Sequence, residues 1–97
     1  MPERIVVVGS AQGLHARPAR IFVQEAARQP VPVLISAGGK APVPAASILA
    51  VLALGAGHGA EVTLSAEGEH AERALDELAE LVARDLDAEE PGGAGAG

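Results

Sequence analysis

The sequence lacks several residue types, and their absence excludes some structures and functions. It contains no cysteine, tryptophan or tyrosine, and Phe22 is its one phenylalanine. Without cysteine the chain can form neither a disulfide framework nor a thiolate metal site. Basic residues are few, with 7 Lys and Arg against 13 Asp and Glu, so the net charge is −6. This balance disfavours nucleic-acid binding, which requires a basic surface.

Long hydrophobic runs are also missing. The longest apolar stretch, residues 48–56, is about half the length of a membrane span, which needs roughly 18 to 20 apolar residues. The apolar run after Arg4 is too short for the core of a signal peptide. We therefore expect a soluble, cytoplasmic protein without a membrane-inserted segment. With 97 residues, 48% of them hydrophobic, the chain suits one domain.

Hydrophobic periodicity predicts four strands and three helices. Strands are expected at 4–8, 31–36, 40–43 and 61–67, and helices at 16–28, 47–54 and 69–86. Pro42 places the third strand at a sheet edge, and Pro44 is expected to end it. In the fourth strand Val62, Leu64 and Ala66 should be buried, while Glu61, Thr63, Ser65 and Glu67 face water. On the last helix, Glu69–Arg73 and Glu80–Arg84 are expected to pair.

The element order β-α-β-β-α-β-α predicts the fold class. It indicates an α+β open-faced two-layer sandwich, in which three helices cover one face of a four-stranded antiparallel sheet. Residues 1–88 are expected to form this domain. Residues 89–97, with the sequence EEPGGAGAG, have nothing to bury, so we expect a disordered tail.

The segment that carries candidate chemistry is GLHARPA, residues 13–19. It places His15 where a loop becomes a helix, and the first amides of a helix form a site that favours phosphate. Ala16 and Arg17 can supply such amides, whereas Pro18 cannot. The guanidinium of Arg17 adds a charged donor fork suited to phosphate oxygens. Taken alone, the same residues fit a histidine that merely caps a helix beside a solvated arginine.

A second segment, ASILAVLALG at residues 46–55, strengthens the functional interpretation. Together the two segments resemble the signatures of the HPr family, the histidine-containing phosphocarriers of the bacterial phosphoenolpyruvate:sugar phosphotransferase system. The resemblance covers roughly residues 1–87. It implies that enzyme I, using phosphoenolpyruvate, phosphorylates Nδ1 of His15. The phosphoryl group then passes to enzyme IIA components of sugar uptake systems, so the chain is a carrier and not a stand-alone enzyme.

The resemblance also implies roles for other residues. Arg17 would stabilise the transferring group, and the docking surface would include Ile48, Leu49 and Leu52. Our own interpretation adds Arg20, one turn after Ala16, as a partner contact. The alternatives are that Leu52 and its neighbours are core and that Arg20 is simply solvated.

Ser47 supports two interpretations. In some family members the matching serine is phosphorylated by a dedicated kinase, which implies regulation and contacts with a serine kinase or transcriptional regulators. A lysine often precedes that serine, but Ala46 stands here, and Ser47 also suits a plain helix N-cap.

Two other function classes remain open at this point. One is a regulatory module of the same fold that docks according to its phosphorylation state, and the other is a small phosphatase that works through a phosphohistidine. Metal binding by His15, His58 and His70 is disfavoured because their spacing matches no metal motif. Residues 9–13 lack the ending of a nucleotide phosphate loop, so no cofactor is expected, and we expect a monomer.

Overall fold

The architecture was obtained from a computed structural model, which describes residues 2–11 and 13–84. Along these residues the elements occur in the predicted order: β1 (Glu3–Val7), α1 (Ala16–Arg28), β2 (Val33–Ala37), β3 (Val43–Pro44), α2 (Ile48–Leu54), β4 (Glu61–Ala66) and α3 (Ala71–Ala83). The predicted tail at 89–97 and the domain boundary at residue 88 lie outside the described residues.

The strands form a four-stranded antiparallel sheet in the order β1-β4-β2-β3. The central strand β4 pairs with β1, where Thr63 lies opposite Ile5, and with β2, where Leu64 lies opposite Ile35. The short strand β3 pairs with β2 at the sheet edge. The predicted fold class is therefore confirmed.

One face of the sheet is covered and the other is open. The register places buried residues of β2 opposite buried residues of β4 on the same face: Val33, Ile35 and Ala37, and Ala66, Leu64 and Val62. Helix α3 packs against β1 and β4, and α2 packs against β2 and β3. On the open face the side chain of Ile5 is 68% exposed. The helices thus lie on one side, as the sequence predicted.

The core between sheet and helices is almost entirely aliphatic. Phe22 of α1, Ile35 of β2, Leu64 of β4 and Leu75 of α3 are fully buried. Burying a side chain of this size contributes about 1.5–3 kcal/mol relative to leaving it exposed. Together with the packing of α1 against α2 and α3, this burial fixes the position of the N-terminus of α1.

The strands around the prolines differ from the prediction. β2 begins at Val33, and the third strand is Val43–Pro44 instead of residues 40–43. The expectation that the strand stops before Pro44 was wrong, because Pro44 is its last residue and pairs with Leu34. An edge strand tolerates a proline, whose missing N–H can face away from the sheet.

The last helix is shorter than predicted at both ends. It covers Ala71–Ala83, and Arg84 is its extended C-cap, so Arg84 no longer lies one helical turn after Glu80. Arg73 pairs with Glu77 at 3.4 Å instead of with Glu69. Leu86, the predicted end, lies outside the described residues.

The predicted wet face of β4 is wrong at Ser65, which is 6% exposed. Its strand is central, so Ser65 has a neighbour on each side, Glu3 of β1 and Leu34 of β2.

Candidate functional site

His15 is the N-cap of α1 and its side chain is exposed. Its backbone is extended, with φ −147° and ψ 155°. Within the described part of the chain its imidazole makes no capping hydrogen bond. The backbone anchors the residue instead, because His15 N–H donates to the Gly13 carbonyl at 2.9 Å. The geometry thus disfavours the alternative in which His15 serves as a side-chain cap.

The first residue of α1 has an unusual backbone. Ala16 has φ 50°, in the left-handed region that a residue with a Cβ rarely adopts. Such a conformation costs about 1–2 kcal/mol, and strained residues cluster at functional sites. It reorients the chain immediately after His15, which the sequence prediction of a regular first turn did not include. The amides of Ala16 and Arg17 still precede the intrahelical hydrogen bonds, so both remain the predicted phosphate donors.

The charge at the start of α1 suits an anion. Arg17 is partly buried and Arg20 is exposed, and the first turn of α1 contains no acidic residue. The positive end of the helix dipole adds to this potential. Pro18 is fully buried in the first turn, where its missing N–H removes no intrahelical bond. The overall chain is acidic, but this end of α1 is not.

The segment before His15 rests on the loop that follows α2. Leu14 N–H donates to the Ala56 carbonyl at 2.8 Å, and the Leu14 side chain is 2% exposed. Gly13 has φ 78°, and a Cβ placed there would lie 2.5 Å from the Ala56 oxygen and 2.6 Å from the Gly57 Cα. Only glycine permits this approach. Sequence reasoning missed this contact, although the glycine that opens the motif was a usable signal.

Helix α2 presents the predicted docking residues beside α1, against which it packs. Leu49 is 78% exposed and Ile48 is 38% exposed. Leu52 is half-buried and packs against the core. Because exposed apolar side chains on neighbouring turns form a surface suited to a partner, the docking role of all three stays a prediction with Ile48 and Leu49 as its outer part.

Ser47 caps α2 with its side chain. The Ala50 amide donates to Ser47 Oγ at 3.3 Å, and Gly55 ends the helix with φ 65°. The predicted N-cap is therefore confirmed, and regulation through Ser47 stays a prediction.

The three histidines lie in separate settings. His58, which follows α2, places its Nδ1 3.1 Å from the Ser10 carbonyl, and His70 is the N-cap of α3. Among residues 2–11 and 13–84, no group of three or more His, Asp or Glu side chains could hold a metal ion. Nor is any helix in these residues long and apolar enough to cross a membrane.

Residues 2–84 match the family described as the PTS HPr component phosphorylation site. The phosphocarrier protein HPr of Streptomyces coelicolor is 55% identical over 87 residues, which cover 90% of this chain and 94% of that protein.

Solved structures agree with this match. The crystal structure of the phosphocarrier protein HPr from Bacillus anthracis is 42% identical, covers 84% of this chain and 95% of that one, and superposes with a TM-score of 0.79. The crystal structure of Crh from Bacillus subtilis, described as a swapped dimer, is 44% identical, covers 84% of this chain and 93% of that one, and gives a TM-score of 0.65. The chain therefore belongs to the HPr family, the phosphocarrier proteins of the phosphotransferase system, and carries a phosphoryl group instead of acting as a stand-alone catalyst.

Proposed function

We propose that enzyme I, charged from phosphoenolpyruvate, phosphorylates Nδ1 of His15, and that His15 then donates the group to enzyme IIA components of sugar uptake systems. The observation that carries this proposal is the exposed imidazole at the N-terminus of α1, which is not used to cap the helix. This function would place the protein in the cytoplasm.

The proposed transfer step exchanges one bond to phosphorus for another. The Nδ1 lone pair attacks phosphorus, the bond between phosphorus and its donor atom on enzyme I breaks, and the bonding electrons return to that donor. Donation to enzyme IIA is the reverse process, with His15 as the leaving group. Because positioning and charge stabilisation dominate phosphoryl transfer, no general acid or base is required beside His15.

Arg17 and the first amides of α1 would stabilise the transferring group. The guanidinium of Arg17 matches the geometry of phosphoryl oxygens, and the amides of Ala16 and Arg17 lie at the positive end of the helix dipole. These donors would then stabilise, from one side, the negative charge on the three phosphoryl oxygens. The same charge would attract partners with acidic surfaces.

The docking surface would comprise Ile48, Leu49, Leu52 and Arg20. The first three lie on α2 and Arg20 lies on α1, which pack together. An apolar patch with a neighbouring arginine can bind a partner that combines apolar and acidic side chains. Enzyme I and enzyme IIA would use this surface in turn.

A regulatory role is the second candidate function, and Ser47 is the observation that favours it. Its hydroxyl lies at the N-cap of α2, directly before the exposed Ile48. Phosphate at a helix N-terminus is electrostatically favourable, and it would place negative charge beside the docking surface. A serine kinase and transcriptional regulators are the partners that this role would require.

Intact-mass spectrometry tests the main proposal. The chain is incubated with phosphoenolpyruvate and enzyme I of the same organism, and then with an enzyme IIA. We expect a gain of one phosphoryl mass that brief acid treatment removes, followed by its loss when enzyme IIA is added. No gain with a demonstrably active enzyme I would contradict carriage and favour the regulatory module, while an acid-stable gain would indicate Ser47.

Oligomeric state is measured in the same samples. We expect a monomer, and size-exclusion chromatography with light scattering checks this before and after phosphorylation. A stable dimer would instead align the chain with the arrangement described for Crh of Bacillus subtilis.

A further inference from the structure

The carbonyl of Ser10 is contacted by polar groups from two loops. It accepts a hydrogen bond from the Gly13 amide at 2.9 Å, which closes a tight turn before His15. It also lies 3.1 Å from Nδ1 of His58, in the loop between α2 and β4. A carbonyl oxygen has two lone pairs and can accept both bonds. The turn that leads to His15 is thus tied to a side chain from the other loop.

This contact determines the tautomer of His58. A carbonyl cannot donate, so Nδ1 must carry the proton for the hydrogen bond to form. In the neutral ring Nε2 is then the unprotonated nitrogen. A neutral imidazole without such a partner can carry its proton on either nitrogen. The tautomer is a property that can be measured separately from any activity.

The loop after α2 is joined to the segment before His15 by four hydrogen bonds. The Leu14 amide donates to the Ala56 carbonyl at 2.8 Å, the Gly59 amide to the Val8 carbonyl at 3.0 Å and the Val8 amide to the Ala60 carbonyl at 2.9 Å, and His58 bonds Ser10. Of these four, only the bond of His58 uses a side chain. It can therefore be removed by substitution while the three backbone bonds stay in place.

We propose that His58 is a positioning residue for phosphoryl transfer, which holds the turn from Ser10 to Gly13 so that His15 is presented in one orientation. This inference rests on the proposed function of His15. The route is short, because the Gly13 carbonyl accepts from the His15 amide at 2.9 Å. A displacement of the turn is thus transmitted directly to the nucleophile, and a small misplacement of a reacting group slows transfer.

The effect should appear in the rate of transfer and not in partner binding. His58 lies outside α2, beyond its C-cap Gly55, whereas Ile48 and Leu49, the outer part of the predicted docking surface, are the first two residues of that helix. Loss of one neutral hydrogen bond corresponds to roughly a three- to tenfold change. For His58→Ala we therefore expect kcat of enzyme I to fall about three- to tenfold, with KM for the carrier unchanged.

Two further variants distinguish a positioning role of His58 from a nonspecific effect of substituting a histidine. His58→Asn places an amide donor near the position of Nδ1 and should restore most of the rate. The C-terminal end of α3 lies beside Ser10, because the Arg84 carbonyl accepts a hydrogen bond from Ser10 Oγ at 3.4 Å. His70 is exposed at the opposite end of this helix, whose 13 residues span about 20 Å, so His70→Ala should leave the rate unchanged. Thermal unfolding of each variant accompanies the kinetics.

The test combines these rates with ¹⁵N NMR of the His58 ring in the full chain. The proposal predicts protonated Nδ1 on His58, a slower His58→Ala and recovery in His58→Asn. An Nε2-protonated ring, an unchanged rate in His58→Ala, or an Asn variant as slow as Ala would each overturn it while leaving carriage by His15 intact. A wild-type chain that accepts no phosphoryl group would overturn both the proposed function and this role.

Discussion

Two helices of this protein begin at an exposed histidine, and their surroundings differ. His15 precedes α1 and His70 precedes α3, and in the described residues neither imidazole caps its helix. The first turn of α1 has no acidic residue and includes Arg17, whereas the first turn of α3 contains Glu72. A carboxylate at a helix N-terminus interacts with the positive end of the helix dipole and so lowers the attraction of that end for an anion. The two helix starts therefore differ in the charge that they offer to an anion.

The backbone and its support differ as well. Ala16 after His15 has φ 50°, the one positive φ among the described non-glycine residues, and Leu14 before it is anchored to Ala56. Helix α2 offers a third case, in which the Ser47 side chain is committed to its own cap. The His15 segment is thus strained and supported from another loop, while the other two N-termini are ordinary helix starts.

The largest expected difference between the two histidines is in phosphoryl acceptance. His15→Ala should abolish the acid-labile mass gain, because it removes the nucleophile, and His70→Ala should retain the full gain. Intact-mass spectrometry after incubation with enzyme I and phosphoenolpyruvate measures both. Retained labile phosphate in His15→Ala would move the site to another histidine.

The support beneath His15 can be tested through Gly13. Gly13→Ala forces a Cβ against the Ala56 carbonyl at a residue with φ 78°, so the free energy of unfolding should fall by about 3 kcal/mol. Gly38→Ala is the matched control, because Gly38 has φ 58° but nothing within 4 Å of the added Cβ. It should lose only about 1 kcal/mol. Equal losses in denaturant titrations would show that the close approach to Ala56 contributes nothing.

The contribution of charge can be measured at Arg17. Arg17→Ala should slow phosphoryl transfer by about tenfold or more, since a hydrogen bond to a charged group is worth about 1.5–3 kcal/mol, and the domain should stay folded. Arg73→Ala serves as the control, because Arg73 lies in α3 and pairs with Glu77. Rapid-quench measurement of transfer from enzyme I gives both rates. A transfer rate unchanged by Arg17→Ala would remove Arg17 from the mechanism.

The smallest expected effects concern Ser47. Ser47→Asp keeps an N-cap acceptor but adds negative charge beside the docking surface, so acceptance from enzyme I should weaken several-fold. Ser47→Ala should accept normally while losing about 1 kcal/mol of stability with the cap. Titration with enzyme I and thermal unfolding separate the two effects. Equal or tighter acceptance by Ser47→Asp would argue against regulation at this residue.

Local patterns predicted much of the fold because they act within one element. The spacing of apolar residues located α1, and Ser47 and Gly55 marked both ends of α2. The predictions that failed depend on distant neighbours: Pro44 joins a strand because Leu34 lies beside it, and Ser65 is buried because its strand is central.

The candidate site shows the same division. Sequence motifs were enough to propose His15 and Arg17, since the proposed chemistry lies within one short segment. The contact between His58 and Ser10 joins two residues that lie 48 apart along the chain, and the motif gave no sign of the left-handed backbone of Ala16. No pattern near His58 indicated that contact, because its hydrogen-bond partner is a backbone carbonyl that any residue could supply.

The atom that carries the phosphoryl group can be identified by NMR of the phosphorylated, ¹⁵N-labelled chain. A one-bond coupling between phosphorus and a ring nitrogen identifies both the histidine and the atom. We expect that coupling at Nδ1 of His15, with His58 and His70 unmodified. Phosphorus on Nε2 of His15, or on either of the other two rings, would contradict it.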